Sequence, residues 1–146
     1  MYKKSQTEVA DIEIFPGNLF CVSFRKGSEV DLEAARRIID ATNQLIDDEI
    51  PIRGGVYDLS NLVYVSEEAR IYSTDTNNLK GTVVAVGLIS NSFLGNLVGN
   101  LYLTLTRKAQ FPIRMFQSPI SAEHWVRKTM RDYMEKHHPE KLNKAA

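Results

Sequence analysis

VYDLSNLVYVSEEAR, residues 56–70, decides how the chain is read. A short apolar run ends in Asp58, a turn follows, and a helix start follows the turn. Ser66 is placed to cap that helix. Glu67 and Glu68 fall in its first turn, where negative charge meets exposed amide groups. A strand feeding a helix is the joint at which open α/β sheets place their working loops. The stretch therefore says where a site lies, and no residue set within it specifies a reaction.

Working outward, TVVAVGLIS (82–90) is a near-continuous β-branched run, the pattern of a central strand covered on both faces. The sheet reading requires residues 56–61 and 82–90 to lie side by side and run the same way. Upstream, Val9, Ile12, Ile14 and Phe15 roughly alternate with polar residues and predict a strand. Pro16-Gly17-Asn18 is a turn signal, and Leu19 to Arg25 predicts a second strand, so the two form an antiparallel hairpin. Asp31 caps a long helix over 32–49, whose apolar positions are Leu32, Ala35, Ile38, Ile39, Leu45 and Ile46. Its closing acids Asp47, Asp48 and Glu49 oppose the helix dipole, Pro51 ends it, and Gly54-Gly55 lead into a strand over 55–59.

Downstream, the helix from Ser66 loses its pattern near Asn77. Asn91 or Ser92 opens a third helix with the apolar stripe Phe93, Leu94, Leu97, Val98, Leu101, Tyr102 and Leu105, closed by Arg107 and Lys108. FPIRMFQ (111–117) predicts a fifth strand, with Pro112 at an edge or a strand start. Ser118 or Ser121 caps a last helix carrying Ala122, Trp125, Val126, Met130 and Tyr133, and His138-Pro139 ends it. The order is β-β-α-β-α-β-α-β-α. It predicts an α/β fold with a single mixed, mostly parallel sheet flanked by helices. One domain is expected over 1–146, with residues 1–7 and 139–146 frayed.

Bulk properties narrow the classes. A chain of 146 residues, 43% hydrophobic and 25% charged, suits one soluble domain. The formal net charge is +0, unevenly spread. Residues 1–69 hold 7 Lys/Arg against 13 Asp/Glu, a balance of −6; residues 70–146 hold 11 against 5, a balance of +6. The favoured reading is that the fold mixes both halves over one surface. Cys21 is the single cysteine, which excludes an intrachain disulfide and a thiolate metal cluster, and an inert buried thiol is expected. The N-terminal stretch lacks the apolar block of a secretory signal. Asn91, Asn96 and Asn100 interrupt the longest apolar-rich stretch, so no membrane span and a cytoplasmic location are expected.

Each candidate residue has a plain reading beside a sharp one. Asp58 could act as a base or ligand, but an Asp at a strand end more often accepts hydrogen bonds from turn amides, here those around Ser60 and Asn61. Glu67 and Glu68 are neighbours on a helix and point apart, so they are dipole partners or a surface for recognition rather than a carboxylate pair. Arg70, one turn beyond Ser66 and Glu67, is read as an ion-pair partner within the helix, with anion binding as the sharper alternative. His124, His137 and His138 lack metal-ligand spacing. Gly95-x-x-x-Gly99 lets a helix approach its sheet closely, and dimer contact is the alternative. The third helix is apolar over much of its surface. It is deeply buried, or covers a dimer interface, or lines a pocket for an apolar ligand, in that order of preference. Arg107, Lys108, Arg114, Arg127, Lys128 and Arg131 make the C-terminal third basic, but Phe111, Phe116, Trp125 and Tyr133 sit at core-like spacing, so no nucleic-acid partner is expected. No cofactor or metal is expected either.

The order of elements, with DLSNLVYVSEEAR after the first long helix, resembles the STAS domain, the fold of SpoIIAA-type anti-sigma factor antagonists. The resemblance covers about residues 8–135. Asp58-Leu59-Ser60 match the family's strand end, and Leu62, Tyr64 and Val65 fill its apolar positions. Where the family carries Asp-Ser-Ser-Gly at the helix start, this chain carries Ser66, Glu67 and Glu68. The serine that partner-switching members phosphorylate aligns with Glu67 or Glu68, so the resemblance implies the fold without the usual phospho-serine switch. A carboxylate there holds permanent charge, though less than a phosphate. SEEARIY, VAVGLISNSFLGNLVGNLYL and FPIRMFQSPISAEHWV are also similar to an uncharacterised group of small bacterial STAS-like proteins.

The resemblance implies a non-catalytic regulatory or signalling module that binds a protein partner. The expected contact surface is Asp58, Ser60, Asn61, Ser66, Glu67, Glu68 and Arg70, with Ser90, Asn91 and Ser92 on the neighbouring strand end. A homodimer is also expected. The alternative is a carrier or sensor of a small apolar, lipid-like ligand held under the third helix, since the wider superfamily includes Sec14-like lipid carriers. An enzyme ranks third.

Overall fold

In the computed structural model, which describes residues 2–105 and 111–141, the opening hairpin forms around the expected turn. Strands β2 (Ala10–Phe15) and β3 (Leu19–Phe24) pair antiparallel with Phe15 opposite Leu19. Gly17 and Asn18 both take positive φ (87° and 63°), which Gly tolerates freely and Asn better than most residues. Strand β1 (Lys3–Gln6) adds to the outer edge of β2. KKSQ carries no apolar residue to announce a strand, so fraying is the sequence expectation for residues 1–7, and Lys3–Gln6 joins the sheet instead.

Strand β4 (Ser28–Val30) is followed by helix α1 (Leu32–Leu45), capped as expected by the Asp31 carboxylate, which accepts the Ala34 N–H at 2.8 Å. The helix stops at Leu45 rather than at residue 49. The buried Asn18 side chain takes over the chain there: it accepts the Asp47 N–H at 2.9 Å and donates to the Asp47 carbonyl at 3.0 Å. Strand β5 (Ile52–Asp58) starts directly after Pro51, so Gly54 and Gly55 lie inside it and do not lead into it. A Cβ on Gly54 would meet Val126 at 2.7 Å, and one on Gly55 would collide with the Phe20 ring. Both glycines are there for close packing on opposite faces of the strand.

Strand β6 (Leu62–Val65) intervenes before helix α2 (Glu67–Thr74) and pairs parallel with β4 in a separate two-stranded sheet. Strand β7 (Thr82–Ile89), helix α3 (Phe93–Leu105), strand β8 (Ile113–Phe116) and helix α4 (Pro119–His137) complete the chain. The six-stranded sheet has the order β1-β2-β3-β5-β7-β8. Three of its pairings, β3 with β5, β5 with β7 and β7 with β8, are parallel. Residues 56–58 and 87–89 lie side by side in the same sense, as the fold reading required. The mostly parallel sheet flanked by helices is therefore observed, with β1, β4 and β6 as additions to the expected order and the small sheet as a correction to a single one.

The parallel strands are covered on both faces, which is why β7 is apolar along its length. One core lies under α1, α2 and α3 and includes Phe20, Val22, Ile38, Leu59, Val86 and Leu88. The other lies under α4 and includes Leu19, Ile52, Val56, Val126 and Met130. The two halves of the chain meet in the fold: Lys80 pairs with Asp48 at 2.6 Å, and α4 packs on β5, with Glu123 beside Glu13 and Cys21. The basic pair Arg107 and Lys108 lies outside the described residues.

Candidate functional site

The carboxyl ends of β5 and β7 meet, and the residues following them form a polar cluster. The Asp58 carboxylate accepts the Ser60 N–H at 3.0 Å, the turn geometry expected of it. The Leu59 N–H donates to the Ile89 carbonyl at 2.7 Å, locking the two strand ends together. Across this joint the Ser60 hydroxyl donates to Asn91 Oδ1 at 3.3 Å. Asn61 turns back to the hairpin, donating through Nδ2 to the Phe24 carbonyl at 3.3 Å, while its own carbonyl accepts the Gly27 N–H at 2.9 Å.

Ser90 is buried and accepts the Ser92 N–H at 3.2 Å, and Ser92 Oγ in turn accepts the Gly95 N–H at 3.0 Å. Ser92 thus caps α3. A Cβ on Gly95 would lie 2.7 Å from the Leu59 carbonyl. Only a glycine lets the helix start this close to the strand end, as the Gly95-x-x-x-Gly99 spacing predicted.

The second half of the expected surface stands apart. Ser66 follows β6, a strand of four residues, roughly 13 Å of chain at the usual strand rise. Ser66 Oγ accepts the Ala69 N–H at 3.1 Å and caps α2, with Glu67 and Glu68 exposed in its first turn. The Arg70 guanidinium donates to the Val65 carbonyl at 2.6 Å instead of pairing with Glu67, because its side chain folds back over the end of β6. The structure therefore brings Asp58, Ser60, Asn61, Ser90, Asn91 and Ser92 together, and sets Ser66, Glu67, Glu68 and Arg70 at the far end of a short strand.

Helix α3 differs from its expected burial. Gly95, Val98 and Gly99 face the core, and Tyr102 is partly buried against it, while Phe93, Leu94, Leu97 and Leu101 point to solvent, Phe93 at 77% exposure and Leu97 at 48%. The glycines bring the helix axis close to the sheet. The contact face is consequently narrow, and the leucine stripe is left outside it. The run from Asn91 to Thr106 contains no charged residue.

Between the sheet and α1, α2 and α3 lies an apolar cavity of about 50 Å³, lined among others by Phe20, Ile39, Tyr57, Leu59, Val86 and Tyr102. Desolvation pushes the Tyr102 phenol up to about 12. On the opposite face, Asp58 borders a shallow groove with Glu13, Cys21, Ser23 and Glu123. Cys21 is half-buried, not buried as the sequence implied; burial, reinforced by Glu123 and Glu13, pushes its thiol up to about 11, which keeps it protonated at neutral pH. Among the described residues no group of three or more His, Cys, Asp or Glu side chains is arranged to hold a metal ion. No helix among them is long and apolar enough to cross a membrane.

Sequence reasoning missed Arg53. It sits on β5 one residue before the glycine pair, is 0% exposed, and stacks on the Phe20 ring with Cζ 4.5 Å from the ring centre. A cation followed by two glycines inside a strand was the available signal. The apolar pattern starts the strand at residue 55, three residues after the observed start at Ile52, and so leaves Arg53 outside it.

No curated protein matches the chain. The family described as a domain of unknown function (DUF7793) matches residues 13–143. With strands β3 to β8 and all four helices inside that span, the chain belongs to this DUF7793 family.

Proposed function

We propose that the protein is a non-catalytic, STAS-like binding module of the bacterial cytoplasm whose partner is another protein. The observation that carries this reading is the exposed, uncharged apolar face of α3, formed by Phe93, Leu94, Leu97 and Leu101. It begins immediately after the Ser60–Asn91 hydrogen bond at the strand ends. Soluble domains seldom leave such a stripe bare, and contiguous apolar patches of this kind serve as contact sites. The rim is polar, from Ser60, Asn61 and Asn91 together with Asn96 and Asn100 on the helix, which matches the usual anatomy of an apolar centre and a polar border. With no charge on the helix, the partner is one that offers an apolar face of its own.

The phospho-serine switch is absent from this reading. Ser66 Oγ is occupied as the cap of α2, and Glu67 and Glu68 stand where the resemblance puts the acceptor. The α2 start is then a separate acidic landmark, about one short strand away, that orients a partner rather than anchors it.

The test is a Phe93→Ser, Leu97→Ser double variant compared with wild type by light scattering and by affinity capture. The captured protein is then purified and titrated against both forms. The expected result is a complex weakened at least tenfold in the double variant, with unchanged circular dichroism. A second copy of the chain is recognised by a mass that falls to the monomer in the variant. Retention of full affinity by the variant would overturn the reading.

A second reading has its own observation, the apolar cavity under α1, α2 and α3. It supports a carrier or sensor of a small apolar ligand. A cavity of about 50 Å³ is far below the roughly 300 Å³ where drug-sized pockets begin, so a lipid is too large for it.

A further inference from the structure

Exposed large apolar side chains are concentrated in one part of the molecule. Among the described residues nine large hydrophobics are exposed, and seven of them lie on three elements that touch one another. Phe93, Leu94, Leu97 and Leu101 lie on α3. Val63 and Tyr64 lie on β6, which packs against α3, and Ile71 lies on α2, which borders it.

The exposed side of α3 has an order of its own. Leu94, Leu97, Leu101 and Thr104 follow one another at intervals of three, four and three, and all four are exposed. That is the spacing of a seam along which one helix packs on another, narrower than the stripe that docks a helix on a core. The core-facing side is a different set, Gly95, Val98 and Gly99. The helix therefore has two working faces, with the glycines set against the strand ends and the leucine seam outside. Its 13 residues make it roughly 20 Å long, enough for three turns of seam.

Two observations select the helix that fills this seam. The first is charge. No charged residue occurs from Asn91 to Thr106. Charge complementarity is how an interface rejects wrong partners, and this face has none with which to choose a foreign helix. A two-fold contact needs none. Residues near the axis meet their own copies, so a charge there would repel itself, whereas neutral side chains meet without that penalty. The second observation is area. At the usual size of large apolar side chains, the seven exposed residues present roughly 700 Å², close to the 800 Å² or so that each partner contributes to an interface of standard size. The α3 residues alone supply little more than half of it, so the contact takes in the flanks on β6 and α2.

We propose that α3 is covered by a second copy of this chain, related by a two-fold axis that passes beside Leu97, the middle of the seam. The proposal rests on the reading of this face as a contact surface and names what covers it.

The experiment is sedimentation equilibrium of the full chain, from micromolar to submillimolar concentration, on wild type, Leu97→Lys, Leu97→Glu and an equimolar mixture of the two variants. Wild type is expected to dimerise. Each variant alone is expected to dimerise at least tenfold more weakly, with unchanged circular dichroism, because like charges meet across the axis. The mixture is expected to recover association, because position 97 then meets its opposite. Phe93→Ser, at the most exposed position of the face, is expected to weaken the dimer at least tenfold, and it decides the matter if the position-97 variants do not fold. A wild type that stays monomeric throughout would overturn the second copy. The contact-surface reading would fall with it only if a complex captured by wild type survived the Phe93→Ser, Leu97→Ser double variant unweakened. A dimer that all three single variants leave at full strength would overturn the proposal by placing the interface elsewhere. Variants weakened without recovery on mixing would keep α3 in the interface and overturn the axis beside Leu97.

Discussion

Two buried or half-buried side chains make claims that a single substitution can check. Asn18 combines a left-handed backbone with three partner residues: it donates to the carbonyls of Asp47, Ile50 and Ile52 at 3.0, 3.4 and 3.2 Å and accepts the Asp47 N–H at 2.9 Å. Asn18→Gly keeps the backbone but strands those groups, at a cost of about 1–3 kcal/mol. Asn18→Ala adds the left-handed penalty of about 1 kcal/mol more. Urea denaturation of the three forms should rank them in that order, and equal midpoints for Gly and Ala would show that the φ at this position does not matter. Cys21 tests electrostatics. Its folded thiol is pushed up to about 11 from an ordinary value of 9.0, so the fold holds the proton more tightly than the unfolded chain does. The resulting stabilisation is present below pH 9 and is lost as pH rises from 9 to about 11. Alkylation by iodoacetamide should be slow at pH 8 and accelerate about tenfold per pH unit, without a plateau below about pH 11. A plateau near pH 9 would mean the thiol is not desolvated.

At the scale of elements, α2 and α3 make opposite demands at their starts. Ser66→Ala removes the acceptor for the Ala69 N–H and should cost about 1 kcal/mol, whereas Ser66→Asp keeps an acceptor there and should cost little, by thermal melting. Equal losses in both would show that the hydroxyl does more than cap. For α3, Gly95→Ala should cost about 1–3 kcal/mol because its Cβ collides with the strand end, while Asn96→Ala on the exposed face should be neutral or slightly stabilising. These two helices also show what the sequence could and could not reveal. The caps Asp31, Ser66 and Ser118 and the β7 run were legible because capping and double burial act through local chemistry. Strands β1, β4 and β6 were not, because three or four residues carry too little alternation to register. The burial of α3 was misread for a different reason. Periodicity finds the most apolar stripe of a helix, but the docking face is set by how near the axis can come, and Gly95 and Gly99 decided that in favour of a smaller face. At the site, the strand-end residues from Asp58 to Asn61 and from Ser90 to Ser92 were placed correctly by their position after strands. Ser66 to Arg70 were detached by the unseen β6, and Arg53 was hidden within the strand whose start was misplaced.

For the whole molecule, the most exposed consequence of the fold is its outer edge. Strand β1 carries Lys3 and Lys4 and pairs with β2 from Lys3 opposite Ile14 to Gln6 opposite Asp11. Tyr2 extends the contact, with its hydroxyl on Glu13 and its ring 5.1 Å from that of Phe15. Lysine on an edge strand is a common guard against pairing with another chain, since a stranger would have to bury the charge. The strand beneath is far more apolar: Ala10, Ile12 and Ile14 are buried in the first core. Deleting residues 1–7 should therefore do two things that deletion of a frayed end would not. It should remove a few ladder bonds worth about 1 kcal/mol each, lowering stability by about 2 kcal/mol in urea. It should also turn β2 into an unguarded edge, so that aggregation on warming rises with protein concentration, as read by light scattering. Lys3→Ala, Lys4→Ala separates the two effects, because it leaves the ladder in place and removes only the guard. This variant should keep nearly the wild-type midpoint yet share the concentration-dependent aggregation. A truncated chain with unchanged stability and no added aggregation would mean that the sheet ends at β2 and that its edge is protected by something other than the strand laid against it.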